Sequence, residues 1–404
     1  MLLATYGSRG DVEPLVGLAT ALRGLGADVR ICAPPDEEFA DLLTGAGMPL
    51  VPLGAPMRSM ARPSSSADSS RRVAELIATQ FDTLVAAAEG CDVLLATGFT
   101  HFAARSVTDR LGIRYVYATF CPTNLPSPHH PPSALPGRPF PPGVTDNRVL
   151  WDLDAQSRNA LWGSVIDAHR ASVGLPPVAD VTEHMLTGRP WLACDPALGP
   201  WHEPAELDVV RTGAWVLPGT RPLPAELTAF LEAGTPPVYV GFGSMRPSAD
   251  AARVAIEAIR AQGRRALVSH GWAGLGLIDD RDDCLTVGEA NHQELFGRVA
   301  AVVHHGGAGT TVTAARAGVP QVVVPQAGDQ PYWAARVAEL GIGAAHDGPL
   351  PTTASLSAAL RAALTPETRV RARTVAATIR TDGATTAARL LADTTSRQRP
   401  PVSA

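Results

Sequence analysis

Ala300-Ala301-Val302-Val303-His304-His305-Gly306-Gly307-Ala308-Gly309-Thr310-Thr311 is the stretch whose reading decides the fold. A short apolar run leads into a glycine-rich turn and then into helix-forming sequence, the pattern of strand, turn and helix start. That layout leaves several backbone N–H groups unpaired at a helix N-terminus, a natural seat for phosphate oxygens. Glycines alone would equally suit a tight connection that only permits close packing. The histidine pair tilts the reading towards phosphate, because an imidazole beside the helix start can donate to a phosphate oxygen. Thr310-Thr311 suits a helix cap in either case.

A second turn of this kind, Gly7-Ser8-Arg9-Gly10-Asp11, follows the apolar run Leu2 to Thr5. Asp11 stands ahead of Val12-Glu13-Pro14, and proline suits a first helical turn. It reads as an N-cap or first-turn acid favoured by the helix dipole. It reads equally as a general base at the mouth of a cleft. The two turns are far apart in sequence, which places them in two domains facing each other.

Composition bounds the chemistry. At 404 residues the chain exceeds one ordinary domain, and two are expected. An apolar fraction of 45% with 18% charged residues fits a globular protein with ample core. A net charge of −5 gives no reason to expect nucleic acid. No apolar run is long enough for a membrane span, and no basic flank precedes an apolar stretch as in a signal peptide. Cys32, Cys91, Cys121, Cys194 and Cys284 are odd in number and widely spaced, which suits free thiols in a reducing cytoplasm. All 34 basic residues are arginine. Without lysine, a Walker-type phosphate loop and Schiff-base or pyridoxal chemistry are excluded.

Short β-rich runs alternate with Ala/Leu/Arg-rich helical stretches, the signature of parallel sheets covered by helices. Strands are expected at Leu2 to Thr5, Asp28 to Cys32, Asp92 to Thr97, Arg114 to Thr119 and Trp191 to Cys194. In the second half they are expected at Pro237 to Gly241, Arg265 to Ser269, Cys284 to Val287, Ala300 to His304 and Gln321 to Pro325. The fold class is α/β, with two doubly wound domains and ligands at the carboxyl ends of the strands. The expected division is 1–200, a linker at 201–220, 221–380, and a helical tail at 381–404 that returns to the first domain. The chain opens almost inside its first strand, so one or two residues are expected before it. Arg58 to Arg71 reads as mobile, and Cys121 to Gly143 as a long proline-rich loop.

Further candidates follow the strand at Gln321. Asp329 and Gln330, in Pro325-Gln326-Ala327-Gly328-Asp329-Gln330-Pro331, read as a polar turn or as holders of polyol hydroxyls. Asp152-Leu153-Asp154 spells a DxD but lies in a helix-like stretch, which argues against a metal site. His129-His130 reads as loop surface.

Together these motifs resemble the family 1 glycosyltransferases of the GT-B fold, above all the bacterial enzymes that glycosylate vancomycin-group antibiotics. The resemblance runs through GSRGDVEPLVGLATALRGLGADVRICAPP, SPHHPP, PGVTDNRVLW and HRASVGLPPV. It continues through GAWVLPGTRPLPAELTAFLEAG, PPVYVGFGS, HHGGAGTT and PQAGDQPYWAARVAELGIG, and so covers essentially the whole chain. GSRGDVEP is less discriminating, since sterol and lipid glucosyltransferases look alike there.

The resemblance implies a UDP- or dTDP-sugar as co-substrate, no cofactor, no metal and a glycopeptide aglycone as acceptor. It implies that Asp11 is the general base and that Ser8, Arg9 and Gly10 lie near the diphosphate. Ser244 matches a donor-contacting residue. His305 and the backbone of Gly306, Gly307, Ala308, Gly309 and Thr310 match the pyrophosphate cradle, and Asp329 and Gln330 match residues that touch the sugar. Arg58 to Arg71 and Cys121 to Gly143 are the candidate acceptor-facing loops. Three rivals stand beside this reading: a sterol or lipid glucosyltransferase, a sugar-nucleotide epimerase of the same fold, and a non-catalytic nucleotide-sugar binding protein.

Overall fold

The computed structural model describes residues 1–60, 66–135, 138–203 and 205–396. The chain divides into two compact units, each built on one parallel sheet.

The first unit comprises Met1–Cys194, Trp201–Leu217 and Thr381–Ala404. Its strands are β1 (Leu2–Thr5), β2 (Arg30–Ala33), β3 (Leu50–Pro52), β4 (Val93–Thr97), β5 (Arg114–Thr119), β6 (Trp191–Leu192) and β7 (Val210–Arg211). They lie in the order β3-β2-β1-β4-β5-β6-β7, all parallel. β1 and β4 are buried along their whole length, which is why they read as unbroken apolar runs rather than alternating ones. On one face Leu2, Ala4, Leu94 and Ala96 pack with Ile77, Phe81 and Leu84 from the helix Ser66–Ala88. The helix Arg9–Gly24 buries Val12, Leu15, Val16, Leu18 and Leu22, and the final helix Gly383–Ser396 packs beside it.

The second unit comprises Asp195–Pro200 and Pro218–Arg380. Its strands are β8 (Val238–Gly241), β9 (Ala266–Ser269), β10 (Cys284–Val287), β11 (Ala301–His304), β12 (Gln321–Val323) and β13 (Gly343–Ala345), in the order β10-β9-β8-β11-β12-β13. Val238, Val240, Val268 and Val303 pack against Ile256 and Ile259 of the helix Ala251–Arg260 and Leu356 and Leu360 of Thr353–Ala363. In both sheets the winding reverses beside the unit's first strand, between β1 and β4 and between β8 and β11. Ligand crevices in doubly wound sheets form at such switch points, at the carboxyl ends of the strands.

Several expectations are corrected. β3, β7 and β13 are strands of two or three residues at sheet edges, too short to carry an apolar pattern that would announce them. Residues 201–217, read as linker, contribute β7 to the first sheet. Asp195–Pro200 belongs to the second unit because its polar atoms are bound there. Asp195 Oδ2 accepts the Arg380 N–H at 2.7 Å, and the Ala197 carbonyl accepts Arg336 Nη2 at 2.8 Å. Arg58 to Arg71, read as mobile, is helical at Met57–Met60 and again from Ser66; residues 61–65 lie outside the described residues. Pro14 sits within the helix Arg9–Gly24, beyond its first turn.

Gly383 allows the last helix to dock. A Cβ there would stand 2.3 Å from the Ala214 carbonyl oxygen and 2.5 Å from the Gly213 carbonyl carbon, backbone atoms with no room to yield. Gly383→Ala should therefore lower stability by about 1–3 kcal/mol, read as an earlier urea midpoint.

Candidate active site

In the first unit the switch point is occupied by Asp11. The helix Arg9–Gly24 starts behind the extended residue Ser8, and Asp11 Oδ2 accepts the Ser8 N–H at 2.9 Å. Asp11 is thus the first-turn acid of a capping arrangement, half-buried rather than sunk in the core. Gly7 must be glycine, since a Cβ would lie 2.2 Å from Asp11 Oδ2. Across the switch point, Gly98 follows β4 with φ +80°, and a Cβ there would lie 3.6 Å from Asp11 Oδ1. The Thr100 hydroxyl donates to the Tyr6 carbonyl, tying the loop after β4 to the loop after β1. Arg9 forms an ion pair with Glu13 one turn on (2.8 Å), and Gly10 is exposed.

In the second unit the loops after β8 and β11 meet. Gly243 has φ +54°, and a Cβ there would come within 3.1 Å of His305 Cε1. Gly243 accepts the Trp272 N–H at 2.9 Å, which ties in the loop after β9, and Ser244 follows it half-buried. On the other side, a Cβ on Gly306 would meet Val323 Cγ1 at 2.8 Å and the Gln330 carbonyl oxygen at 3.1 Å. Ser244, His305, the glycine turn and Gln330 are therefore gathered at one edge of one sheet. Asp11, Ser8 and Arg9 are gathered at the edge of the other.

The histidine pair divides its labour. His304 is fully buried; its Nε2 lies 2.9 Å from Gln321 Oε1, and its Nδ1 accepts the Gly306 N–H at 3.1 Å. Those bonds fix the tautomer, with the proton on Nε2. The Gly306 N–H, expected in the phosphate cradle, is thereby used inside the protein. The helix Ala308–Arg316 begins after Gly307, its extended N-cap, which supplies no capping side chain. The Ala308, Gly309 and Thr310 N–H groups precede the first residue with an intrahelical carbonyl partner, Thr311. Neither threonine caps this end: Thr311 Oγ1 donates back to the Gly307 carbonyl at 2.9 Å.

Burial governs the titrations here. It pushes His304 down to about 3, with neighbouring His305 adding to the fall and Gln321 opposing it. Burial likewise pushes His305 down to about 4, opposed by the Gly241 carbonyl, and its Nδ1 is buried without a hydrogen-bond partner. Gly241 is close enough to oppose the shift without closing a hydrogen bond of ordinary geometry. His305 therefore meets a ligand as a neutral imidazole. Asp329 is raised by burial and partly restored by the Trp333 indole N–H, which donates to Oδ2 at 2.8 Å. Gln330 Oε1 accepts the Gln326 and Ala327 N–H groups at 2.7 and 3.0 Å. Its side-chain carbonyl thus shapes its own turn.

The remaining candidates stay structural. Asp154 is buried and pairs with Arg158 at 2.6 Å within the helix Asn147–Arg158, while Asp152 is exposed. Among the described residues no group of three or more His, Cys, Asp or Glu side chains could hold a metal ion. His129 is exposed, but His130, read as surface, is half-buried between Trp151 and Trp201, where its carbonyl accepts the Trp151 indole N–H at 3.0 Å. His304 and Gln321 were missed as a pair because they lie on neighbouring strands, two positions apart in register. All five cysteines are free and buried. No helix among the described residues is long and apolar enough to cross a membrane.

Comparison with known proteins gives these sites their context. Residues 282–388 match the family described as erythromycin biosynthesis protein CIII-like, C-terminal domain. Over its full length the chain is 56% identical to vancomycin aglycone glucosyltransferase of Amycolatopsis orientalis, with 100% of both chains covered. The chain belongs to the family 1 glycosyltransferases. This glycosyltransferase is also 50% identical to dTDP-epi-vancosaminyltransferase of the same organism, again over 100% of both chains. A solved structure, the glycotransferase of kitacinnamycin, matches 99% of this chain and 98% of its own with a TM-score of 0.70 at 22% identity. That likeness establishes the GT-B fold.

The buried histidines carry a pH signature. Unfolded, each titrates near about 6.5; folded, His304 and His305 hold out to about 3 and about 4. Below about pH 6.5 the unfolded chain binds protons the folded one refuses, so stability is complete above that pH and is lost as pH falls. The slope is about 1.4 kcal/mol per pH unit for each such histidine. His304→Gln should flatten it by one proton in urea unfolding followed across that range.

Proposed function

We propose that this glycosyltransferase moves a hexose from a UDP- or dTDP-sugar to a hydroxyl of a vancomycin- or teicoplanin-type aglycone, with inversion, without a metal, and in the cytoplasm. The observation that carries the chemistry is the set of main-chain N–H groups at Ala308, Gly309 and Thr310, facing out of a switch point with no side-chain cap. The full-length identity with an aglycone glucosyltransferase supports the acceptor class.

The acceptor hydroxyl attacks the sugar C1 from the face opposite the diphosphate. Its proton goes to Asp11, the new C1–O bond forms, and the bond from C1 to the diphosphate oxygen breaks. The departing negative charge is met by the N–H groups of the second unit and by one N–H of neutral His305. A preorganised donor of this kind contributes about 3–4 kcal/mol to transition-state stabilisation. Alignment of the two substrates contributes about 7–11 kcal/mol more. A phenolic acceptor, titrating near about 10, makes the proton transfer to a carboxylate easier than an alkyl hydroxyl would. Ser244, Asp329 and Gln330 serve the donor, with Gln330 offering amide N–H groups to sugar hydroxyls. Ser8, Arg9 and Gly10 stand beside the base in the first unit.

Asp11→Asn should leave UDP or dTDP affinity intact, measured by calorimetry, while lowering kcat by about 100-fold or more. Turnover near the wild-type level would reduce Asp11 to a helix cap. Activity should also survive exhaustive dialysis against a chelator, since the leaving group is neutralised by N–H groups; restoration only by a divalent cation would overturn that part. Exchange of Cys121 to Gly143 for the matching loop of dTDP-epi-vancosaminyltransferase should change acceptor choice and leave donor choice unaltered.

A further inference from the structure

β1 is Leu2-Leu3-Ala4-Thr5, and β4 ends on Leu94-Leu95-Ala96-Thr97, the same tetrapeptide twice. The sheet pairs the two copies residue for residue, with Thr5 against Thr97. Paired residues of neighbouring parallel strands project from the same face. Both threonines are buried, at 1% and 0% exposure, and neither hydroxyl has a hydrogen-bond partner. Buried unpaired hydroxyls are costly and uncommon, and each calls for an explanation. Valine would fill the same space in a strand without that cost. Two orphaned hydroxyls at one level, at the switch point that holds Asp11, are a polar floor rather than packing.

Their surroundings say what the floor is for. The point where a Cβ on Gly98 would stand is 3.6 Å from Asp11 Oδ1 and 4.0 Å from Thr5 Oγ1. Apart from the chain neighbours of Gly98, no other heavy atom comes within 4 Å of it. Asp11 Oδ2 is already engaged by the Ser8 N–H, so Oδ1 is the oxygen that faces this space. We propose that Thr5 and Thr97 hold one ordered water that donates to Asp11 Oδ1, which makes them positioning residues for the base. This rests on the reading of Asp11 as that base.

Such a water has three polar partners, the usual number for a buried one. It donates one O–H to Asp11 Oδ1 and the other to one threonine oxygen, and accepts the hydroxyl of the second threonine. The water adds a further donor to the carboxylate, which favours its anion. Among the groups around the floor, Arg158, paired with Asp154, is the charge felt by both Tyr117 and His101. Tyr6 is pushed up to about 12 and Tyr117 higher still by burial, while His101, stacked on Tyr117, is pushed down to about 4. On the helix itself, Arg9 pairs with Glu13.

The test compares the Thr5→Val/Thr97→Val double variant, the two Thr→Val single variants, Thr5→Ser, Thr97→Ser and Asp11→Asn, assayed side by side. The double valine variant keeps the β-branched shape of both side chains and should fold, with a melting temperature near the wild-type value. Its donor KM should stay unchanged, kcat should fall roughly 10- to 100-fold, and the acid limb of the kcat profile should move to higher pH. The serine variants keep the hydroxyls and should keep both kcat and the limb. A high-resolution crystal structure of the wild type should show density bridging Thr5, Thr97 and Asp11, lost in the double variant. A folded double variant with wild-type kcat and an unmoved limb overturns the proposal, as does a wild-type crystal structure without that water. If the double variant does not fold, the single valine variants and the wild-type density decide. Wild-type turnover in Asp11→Asn would instead sink the assignment of the base, whatever the threonine variants do.

Discussion

A helix that starts hard against the end of a buried strand leaves main-chain N–H groups that its own carbonyls cannot reach. The second unit is organised around where those groups point. β11 supplies the buried strand, and Gly306 and Gly307 allow a turn in which any added Cβ would strike Gln330 or His305. Full burial lets His304 and Gln321 settle their hydrogen bonds internally and take the Gly306 N–H with them. What is left facing outward is a short row of amides with neutral imidazole beside it. Such dipoles favour an anion without needing to be desolvated as a fixed cation would be.

The two units share a winding order but put different chemistry at its reversal. At the β1/β4 reversal the first turn of the helix carries a carboxylate, and the main-chain donor of Ser8 is spent on it. At the β8/β11 reversal no acid stands in the first turn, and the donors stay outward. One local motif, strand then glycine turn then helix, thus carries a carboxylate in one unit and main-chain N–H groups without a side-chain cap in the other. A single side chain in the first helical turn makes the difference.

Much of this was legible in the sequence. The central strands announced themselves because burial on both faces demands continuous apolar runs, as in Val93–Thr97 and Ala301–His304. The glycine turns and Asp11 were visible because few residues tolerate such backbone and such close approaches. Of the edge strands, Cys284–Val287 was legible, but Leu50–Pro52, Val210–Arg211 and Gly343–Ala345 were not, since two or three residues carry too little pattern. Nor was the role of His304, because adjacent histidines look alike until strand register puts Gln321 beside one of them. The repeated Leu-Leu-Ala-Thr was open to inspection, but its meaning depends on a pairing that links residues distant in the chain.

The route of the polypeptide carries one more consequence. The chain leaves the first unit after Cys194, re-enters at Trp201, departs again after Leu217 and comes back at Thr381. Hybrids assembled from two relatives by one splice near Pro218 would seat a foreign terminal helix, Gly383–Ser396, against a host Arg9–Gly24. Faithful exchange of the second unit therefore calls for several junctions, with the closing helix kept from the same parent as the opening one.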